Sequence, residues 1–284
     1  MISKDKKFLI VGLGLIGGSF AKGLKKVGYQ VGAIDIDEAS ITYALENNII
    51  DSGKVVVEKE YLESFDIVIM CLYPALEYEW LKNYQSLFKP GTLIFDVAGV
   101  KGESANKIRD LISDDLQMVF AHPMAGREVS GVCNSDDTIF KKANFIIVPS
   151  EKNTKEALEI VEEVGQILGF KRISYLSVEE HDDMIGFVSQ LTHVIAISLM
   201  TCNDDKNLQN YTGDSFRDLT RIAKINENMW TELFIENKQK LIENIDEFIV
   251  QMEYIKSLIS EEESEKLKEV MRYSTARRKL FDKE

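Results

Sequence analysis

A glycine-rich turn near the N-terminus constrains the fold of this chain more than any other sequence feature. The apolar run at residues 8–11 leads into Gly-Leu-Gly-Leu-Ile-Gly at residues 12–17, and a helical pattern follows. This order matches G-x-G-x-x-G, the turn between a strand and a helix that binds the pyrophosphate of a dinucleotide. The free N–H groups and the dipole of the helix N-terminus favour the phosphates. The sequence therefore predicts a dinucleotide-binding fold.

An acidic residue after the next strand-like run indicates which dinucleotide is bound. Residues 30–34 end at Asp35, which lies 23 residues after Gly12. A carboxylate about 20 residues after the turn binds the ribose hydroxyls and repels the 2′-phosphate of NADP, so NAD is the predicted cofactor. The alternative is a glycine-rich turn in which Asp35 only caps a helix. The predicted cofactor contacts are Gly12, Leu13, Gly14, Leu15, Ile16, Gly17, Asp35 and Leu72, the last at the end of the third strand-like run.

Strand-like and helix-like segments alternate over about the first 175 residues. This alternation predicts an α/β fold with an N-terminal Rossmann-type, doubly wound, mainly parallel sheet. A helix is predicted at residues 154–168, before Gly169, and the long segment between Pro123 and Lys142 is a candidate functional loop. The strand-like runs are residues 8–11, 30–34, 67–72, 92–97, 118–121, 144–148 and 172–176.

The character of the sequence changes after Ser177, where no convincing strand follows. Apolar residues recur there at helical spacing, and a later series forms a seam typical of packed helices. We therefore predict an NAD-binding domain at residues 1–176 and an all-helical substrate and dimerisation domain at residues 177–284. Packing of the seam within one chain is the alternative to dimerisation. The first series is Met184, Val188, Leu191, Ile195 and Leu199, and the seam is Leu241, Ile245, Phe248, Met252, Ile255 and Ile259.

Composition and charge exclude several classes of protein. The net charge of −13 argues against nucleic acid as the main partner. No apolar run reaches the roughly 18 residues of a membrane span, and residues 1–7 lack an apolar export signal. Cys71, Cys133 and Cys202 form no C-x-x-C pair, so neither a disulfide framework nor a metal site is expected. We expect a cytoplasmic protein with a small-molecule partner and no membrane association.

His122 is the candidate catalytic base. It follows the strand-like run at residues 118–121 and precedes Pro-Met-Ala-Gly at residues 123–126. The carboxyl ends of the strands face the ligand crevice of a doubly wound sheet. An imidazole there can take the proton of a substrate hydroxyl as hydride leaves the same carbon. The alternative is a histidine that only ends a strand.

A stripe of small and polar residues in the helical region offers a candidate substrate surface. It contains Asp182, Gly186, Ser189, His193 and Ala196, at steps of four and three. Small side chains let another group approach closely, and that group is either a substrate or another helix. A core histidine with its hydrogen bonds satisfied is the alternative for His193.

A second candidate surface carries two arginines. Arg217 and Arg221 are spaced i, i+4, so they share one face of a helix. A guanidinium offers a planar fork for a carboxylate, and Asp218 would hold one arginine in place. A surface patch of ion pairs explains this segment equally well.

Six motifs fall in an order that is typical of one enzyme family. They are residues 12–19, Asp96 with residues 100–102, residues 122–126, residues 188–193, residues 216–223 and residues 229–230. The chain is therefore similar to the prephenate/arogenate dehydrogenases of tyrosine biosynthesis, and the similarity covers essentially its whole length.

The resemblance implies an NAD-dependent oxidative decarboxylation of prephenate. Hydride would leave the hydroxyl-bearing carbon of a cyclohexadienol for nicotinamide, CO2 would depart, and the ring would become aromatic. The resemblance also implies that His122 accepts the hydroxyl proton and that a homodimer forms through the helical domain. The implied substrate contacts are Arg221, His193, Asp218 and Ser189.

Two positions depart from the family pattern. Gly99 stands where relatives often carry a serine that helps to hold the histidine, so water, backbone or another side chain must orient His122. Arg127 stands where threonine is common, and it either contacts a substrate carboxylate or points to solvent. Two alternative functions are an arogenate dehydrogenase and a non-catalytic NAD sensor. A hydroxy-acid dehydrogenase would need a catalytic lysine in its helical domain, and the stripe with Ser189 and His193 contains none.

Overall fold

An eight-stranded sheet forms the N-terminal part of the protein in the computed structural model, which describes residues 1–281. The strand order is β3-β2-β1-β4-β5-β6-β7-β8, and every neighbouring pair is parallel except β6 and β7. The predicted Rossmann-type, mainly parallel sheet is thereby confirmed. The strands are β1 (Lys7–Val11), β2 (Gln30–Ile34), β3 (Ser52–Lys54), β4 (Ile67–Met70), β5 (Leu93–Asp96), β6 (Gln117–Pro123), β7 (Asn144–Val148) and β8 (Arg172–Tyr175).

Helices cover both faces of this sheet, so alternate residues of a central strand enter two different cores. Phe8 and Ile10 pack with α1 and α6, whereas Leu9 and Val11 pack with α4 and α5. Burial on both faces explains why the strands read as continuous apolar runs. The helices of this part are α1 (Leu15–Lys26), α2 (Glu38–Glu46), α3 (Lys59–Leu62), α4 (Pro74–Tyr84), α5 (Gly102–Leu111) and α6 (Lys155–Leu168).

The predicted elements agree closely with the observed ones. The side chain of Thr154 caps α6, and Gly169 follows the helix at a φ of 76°. β3 was not predicted, because Ser-Gly-Lys at the sheet edge carries no apolar signal. The segment after β6 contains two short 3₁₀ turns, Val132–Asn134 and Asp137–Phe140, which pack against α1.

The rest of the described chain is helical. α7 (Val178–Ile185) continues through a π-helical turn, Gly186–Leu191, into α8 (Thr192–Thr201). Residues 1–237 form one compact unit and residues 238–284 a second, and the domain boundary that we placed after residue 176 stays a prediction. The remaining helices are α9 (Asp214–Thr220), α10 (Glu227–Glu236), α11 (Lys238–Ser260) and α12 (Ser264–Arg278).

The continuous helix Val178–Thr201 is unusually apolar. Among the described residues it is the one helix whose length and composition would suit a membrane span, and its most apolar 18-residue window has a mean hydropathy of 1.5. Helices in protein cores have the same composition, and helices at subunit interfaces do too. Met184 and Phe187 are about half exposed, whereas Asp182 and Gly186 are buried. Asp182 and Gly186 of the small and polar stripe therefore pack within this unit, whereas Met184 and Phe187 do not.

Candidate active site

The glycine turn has the backbone geometry that a dinucleotide requires. Gly12 has a φ of +97°, and a Cβ on Gly17 would lie 2.0 Å from the carbonyl oxygen of Gly12. Only glycine permits this close contact between helix α1 and the end of β1. A Cβ on Gly14 would project into open space at the N-terminus of α1, which is the direction from which a pyrophosphate would bind.

The predicted acidic residue stands at the end of β2, beside this turn. The Oδ2 atom of Asp35 accepts a 2.6 Å hydrogen bond from the backbone N–H of Leu13, and its Oδ1 atom accepts one from Asp37. Leu72 borders the turn, since its side chain would lie 3.0 Å from a Cβ on Gly12. Leu13 and Leu15 are buried, and Ile16 and Asp35 are partly exposed. The eight predicted cofactor residues therefore surround one strand-to-helix turn and fit NAD.

His122 lies near the carboxyl end of β6, where it meets a histidine that the sequence analysis did not single out. Its Nδ1 atom is 2.9 Å from Nε2 of His181, on α7. The Nδ1 atom of His181 is in turn 2.6 Å from Oδ1 of Asp182. The strand thus supplies one imidazole, and the helix supplies the two groups behind it.

The N-terminus of α5 fixes the far end of this chain of hydrogen bonds. The carboxylate of Asp182 accepts hydrogen bonds from the backbone N–H groups of Lys101, at 3.0 Å, and of Gly102, at 2.6 Å. A Cβ on Gly102 would lie 3.0 Å from Oδ2 of Asp182, so the close approach favours glycine there. The small-residue stripe accordingly makes room for the start of another helix.

These hydrogen bonds determine the tautomer of His122. Asp182 accepts, so Nδ1 of His181 carries the proton, and Nε2 of a neutral His181 is an acceptor. Nδ1 of His122 therefore donates to His181, which leaves Nε2 of His122 without a proton. A carboxylate or similar acceptor behind an imidazole sets its tautomer and orientation in the same way in hydrolytic triads.

Burial holds the pKa of His122 well below its usual value, and His181 and the positive charge of Lys101 lower this pKa further. Burial also lowers the pKa of His181. A Cβ on Gly99 would lie 3.9 Å from Nε2 of His122 and 3.4 Å from the side chain of Leu233. The free nitrogen therefore faces a space bordered by Gly99 and α10.

A second group of predicted residues lies further along the same helices. His193 is partly exposed, its Nδ1 atom lies 2.8 Å from the carbonyl oxygen of Ser189, and its ring stacks against Trp230 with centroids 3.6 Å apart. Trp230 precedes Leu233 by three residues on α10, so the two side chains share a helix face. That face connects the surroundings of His122 to those of His193.

The arginines of the predicted carboxylate site have partners other than the expected one. Arg221 pairs with Glu128, which follows His122 by six residues, and Arg217 pairs with Asp214. Asp218 is exposed on α9. The interpretation that Asp218 holds one of these arginines therefore differs from the observed pairing, because acidic groups on the loop and at the start of α9 are nearer.

Arg127 also forms an ion pair, with its guanidinium 2.8 Å from Asp136. Hydrogen bonds from Thr138 and from this arginine lower the pKa of Asp136 to about 2. The loop is held on α1, since the backbone N–H of Asp136 donates to Ser19 and Lys22 donates to the Ser135 carbonyl. Arg127 thus stabilises the loop that carries Glu128.

Comparison with known proteins gives the family. The nucleotide-binding domain of prephenate dehydrogenase matches residues 20–173, and the dimerization domain of prephenate dehydrogenase matches residues 177–273. The chain belongs to the prephenate dehydrogenase family. This result confirms the family resemblance seen in the sequence, and with it an oxidoreductase with a nucleotide-binding domain.

Individual relatives agree with this assignment. Prephenate dehydrogenase from Bacillus subtilis is 30% identical over 268 residues, which are 91% of this chain and 71% of that protein. The enzyme from Lactococcus lactis is 31% identical over 92% of this chain and 73% of its own length. The crystal structure of prephenate dehydrogenase from A. aeolicus, in complex with hydroxyphenyl propionate and NAD+, has a TM-score of 0.90 and 31% identity, with 99% of this chain and 100% of that chain covered.

The sequence analysis missed His181 and Leu233 as site residues. A signal for His181 was present, because it is one of only three histidines and directly precedes Asp182 at a helix start. Leu233 carried none, since an apolar residue on an amphipathic helix is expected in any core.

Proposed function

We propose that this protein catalyses the NAD-dependent oxidative decarboxylation of prephenate to 4-hydroxyphenylpyruvate. The observation that carries the proposal is the imidazole of His122, whose hydrogen bonds leave Nε2 unprotonated beside Gly99, near the carboxyl end of β6. A neutral base with a fixed tautomer suits proton transfer near neutral pH.

Each residue then has a definite task in the reaction. NAD, when bound at the glycine turn, supplies the hydride acceptor. Nε2 of His122 takes the proton of the substrate hydroxyl while hydride leaves the same carbon. The carbonyl that forms draws electrons from the breaking C–C bond, CO2 departs, and the ring becomes aromatic. The reaction releases no net proton, so His122 returns its proton to the phenolate oxygen.

Substrate binding requires cations, since the substrate carries two carboxylates and the chain a net charge of −13. Arg221 is the proposed carboxylate contact, because a guanidinium has five N–H donors and its pairing with Glu128 leaves donors free. His193 and Ser189 would form the neighbouring wall with Trp230, and burial lowers the pKa of His193. Asp218 is the least supported of the proposed contacts, given its exposure.

We infer in addition that the protein is a cytoplasmic homodimer. The exposed apolar side chains of the helix Val178–Thr201 support a dimer, and so does the match to a dimerization domain. The two family matches also support a domain boundary close to residue 176.

The experiment is to follow NADH absorbance after mixing the protein with NAD and either prephenate or arogenate. We expect prephenate turnover, and His122→Asn should lower kcat by about 10²-fold or more, the scale of a lost general base. The amide of asparagine can still donate to His181, so the structure around residue 122 should be kept. NAD affinity should therefore stay unchanged. A strong preference for arogenate would replace the substrate, and no turnover with NAD bound would favour an NAD sensor.

A further inference from the structure

Lys101 is buried beside the catalytic histidine, and the proton-transfer step described above does not use it. Its side chain is 0% exposed, and the side chain of its ion-pair partner Asp96 is 3% exposed. A buried ion pair must gain enough from its hydrogen bonds to offset the loss of hydration of both charges. The position of those hydrogen bonds therefore indicates what the pair holds in place.

All three donors of the ammonium group are used. Nζ of Lys101 lies 2.5 Å from Oδ2 of Asp96, 2.6 Å from the carbonyl oxygen of Ala121 and 3.1 Å from that of Ala98. Asp96 also accepts a hydrogen bond from the backbone N–H of Ala121, at 2.8 Å. The pair thus binds both backbone groups of the residue that immediately precedes His122.

The backbone of Lys101 contacts the opposite end of the same system. Its N–H donates to Asp182, which holds His181, which in turn accepts from His122. A closed ring results. It runs from His122 through His181 and Asp182 to the backbone of Lys101, and from the Lys101 ammonium through Ala121 back to His122.

We propose that Lys101 is a positioning residue that closes this ring and thereby fixes the imidazole of His122 on β6 relative to α7. The proposal rests on the proposed function only for its kinetic consequences. Residue 99 is glycine, so no side chain there orients His122. The ring of hydrogen bonds orients the imidazole through Nδ1 and leaves Nε2 free.

The charged and titratable groups around His122 come from three elements. They are Asp96 at the end of β5, Lys101 before α5, and His181 and Asp182 on α7. The positive charge of Lys101 disfavours protonation of His122, so its removal should raise the pKa of His122. A change at Lys101 should alter both the orientation and the basicity of the imidazole.

The test compares Lys101→Met with Lys107→Met, a change at an exposed lysine on α5, the helix that follows Lys101. We expect Lys101→Met to lower kcat by roughly 10–100-fold, the scale of a small misplacement of a reacting group. The acidic limb of its pH–rate profile should move to higher pH, and NAD affinity should stay unchanged. Lys107→Met should behave as wild type.

A measurement without substrate separates this proposal from the proposed function. ¹⁵N NMR of the His122 ring in the wild-type protein should show a protonated Nδ1 and an unprotonated Nε2. In Lys101→Met the two tautomers should mix. If wild type lacks turnover but the imidazole signals change as described, the proposed function fails and the ring of hydrogen bonds is supported. If the pH profile and the ring signals of Lys101→Met match wild type, the positioning role is wrong.

Folding of the variant is a separate matter, because Lys101→Met leaves Asp96 buried without its counterion. The double variant Asp96→Asn with Lys101→Met removes both charges of the buried pair and should fold. It should show the same mixed tautomers. Loss of folding in both variants, with Lys107→Met intact, would assign Lys101 to stability alone and overturn the proposal.

Discussion

Gly99 determines how much room there is beside the reactive nitrogen of His122. A Cβ there would make ordinary contacts, 3.4 Å from Leu233 and 3.9 Å from Nε2. A serine at this position would therefore fit, and its hydroxyl would lie within hydrogen-bonding reach of the imidazole. In its absence, His181 is the side chain that orients His122.

Gly99→Ser should raise kcat several-fold, because the added hydroxyl can hold the imidazole and the substrate hydroxyl together. Gly99→Ala is the matched control, since it adds the Cβ without a hydroxyl and should leave kcat near the wild-type value. Steady-state kinetics with prephenate gives the comparison. A tenfold loss in both variants would mean that the substrate occupies this space, and the interpretation of Gly99 would have to be abandoned.

Glu77 on α4 is a second residue whose environment sets its chemistry. Among the described residues, neither carboxyl oxygen of Glu77 has a hydrogen-bond partner, and the side chain is fully buried. Burial, together with the negative charge of Asp96, raises the pKa of Glu77 well above its usual value of 4.5. Lys101 lowers this pKa but is already paired with Asp96, so the environment of Glu77 favours its protonated form.

Glu77→Gln should remove a pH-dependent cost to stability. Above pH 4.5 the unfolded chain releases the proton of Glu77 while the folded chain keeps it, so stability falls as pH rises toward the raised pKa. Glutamine is permanently neutral and lacks this loss. Its free energy of unfolding relative to wild type should grow by about 1.4 kcal/mol per pH unit over that range. Urea denaturation at several pH values measures this difference, and parallel curves would show that Glu77 is ionised.

At the scale of secondary-structure elements, α10 joins the sheet region to the α7–α8 helix. Glu232 accepts from the backbone N–H of Ala75 at the start of α4, and Glu236 accepts from Ser104 on α5. Asn237, just after α10, donates to the carbonyl of Asp182 and to the side chain of Gln190. These contacts place Leu233 beside His122 and Trp230 beside His193.

Asn237→Asp should destabilise the protein by about 2–4 kcal/mol, because a buried amide donor facing two acceptors is replaced by an anionic acceptor. Thermal unfolding measures the loss. Asn244→Asp serves as a control, since Asn244 is partly exposed on α11 and donates only within its own helix. Equal stability of Asn237→Asp and wild type at neutral pH would show that α10 is not held by this amide.

The π-helical turn changes which residues of the predicted apolar series share a helix face. A π turn adds a residue per turn, so side chains before and after residues 186–191 change face relative to an α-helical count. Met184 and Val188 are exposed, whereas Leu191 is buried. A pattern read at constant spacing cannot show this change of face.

For the whole molecule, three buried or partly buried histidines affect how stability depends on pH. The apolar helix Val178–Thr201 bears on the proposed oligomeric state. The pKa of each of His122, His181 and His193 is lowered, chiefly by burial. Below pH 6.5 the unfolded chain binds protons that the folded chain excludes, so these residues reduce stability as pH falls. The half-exposed apolar face of the helix Val178–Thr201 is the proposed dimer surface.

Phe187→Asp should convert the proposed dimer to a monomer, because it places a charge on a side chain that is 56% exposed in the single chain and would be buried between two copies. Light scattering after size-exclusion chromatography gives the mass. Val56→Asp is the control, since Val56 is also exposed but lies near the β3 edge of the sheet. A mass of one chain for wild type would contradict the dimer.

Short apolar runs, glycine spacing and strand ends are local signals, and they were enough to predict the sheet, the cofactor turn and the position of His122. The groups behind that histidine could be identified only from the folded chain. His181, Asp182, Lys101 and Asp96 are separated by up to 86 residues, and only the packing of α7 against the N-terminus of α5 brings them together. Local patterns report the conformation of a segment, whereas a hydrogen-bond network among distant segments depends on how those segments pack.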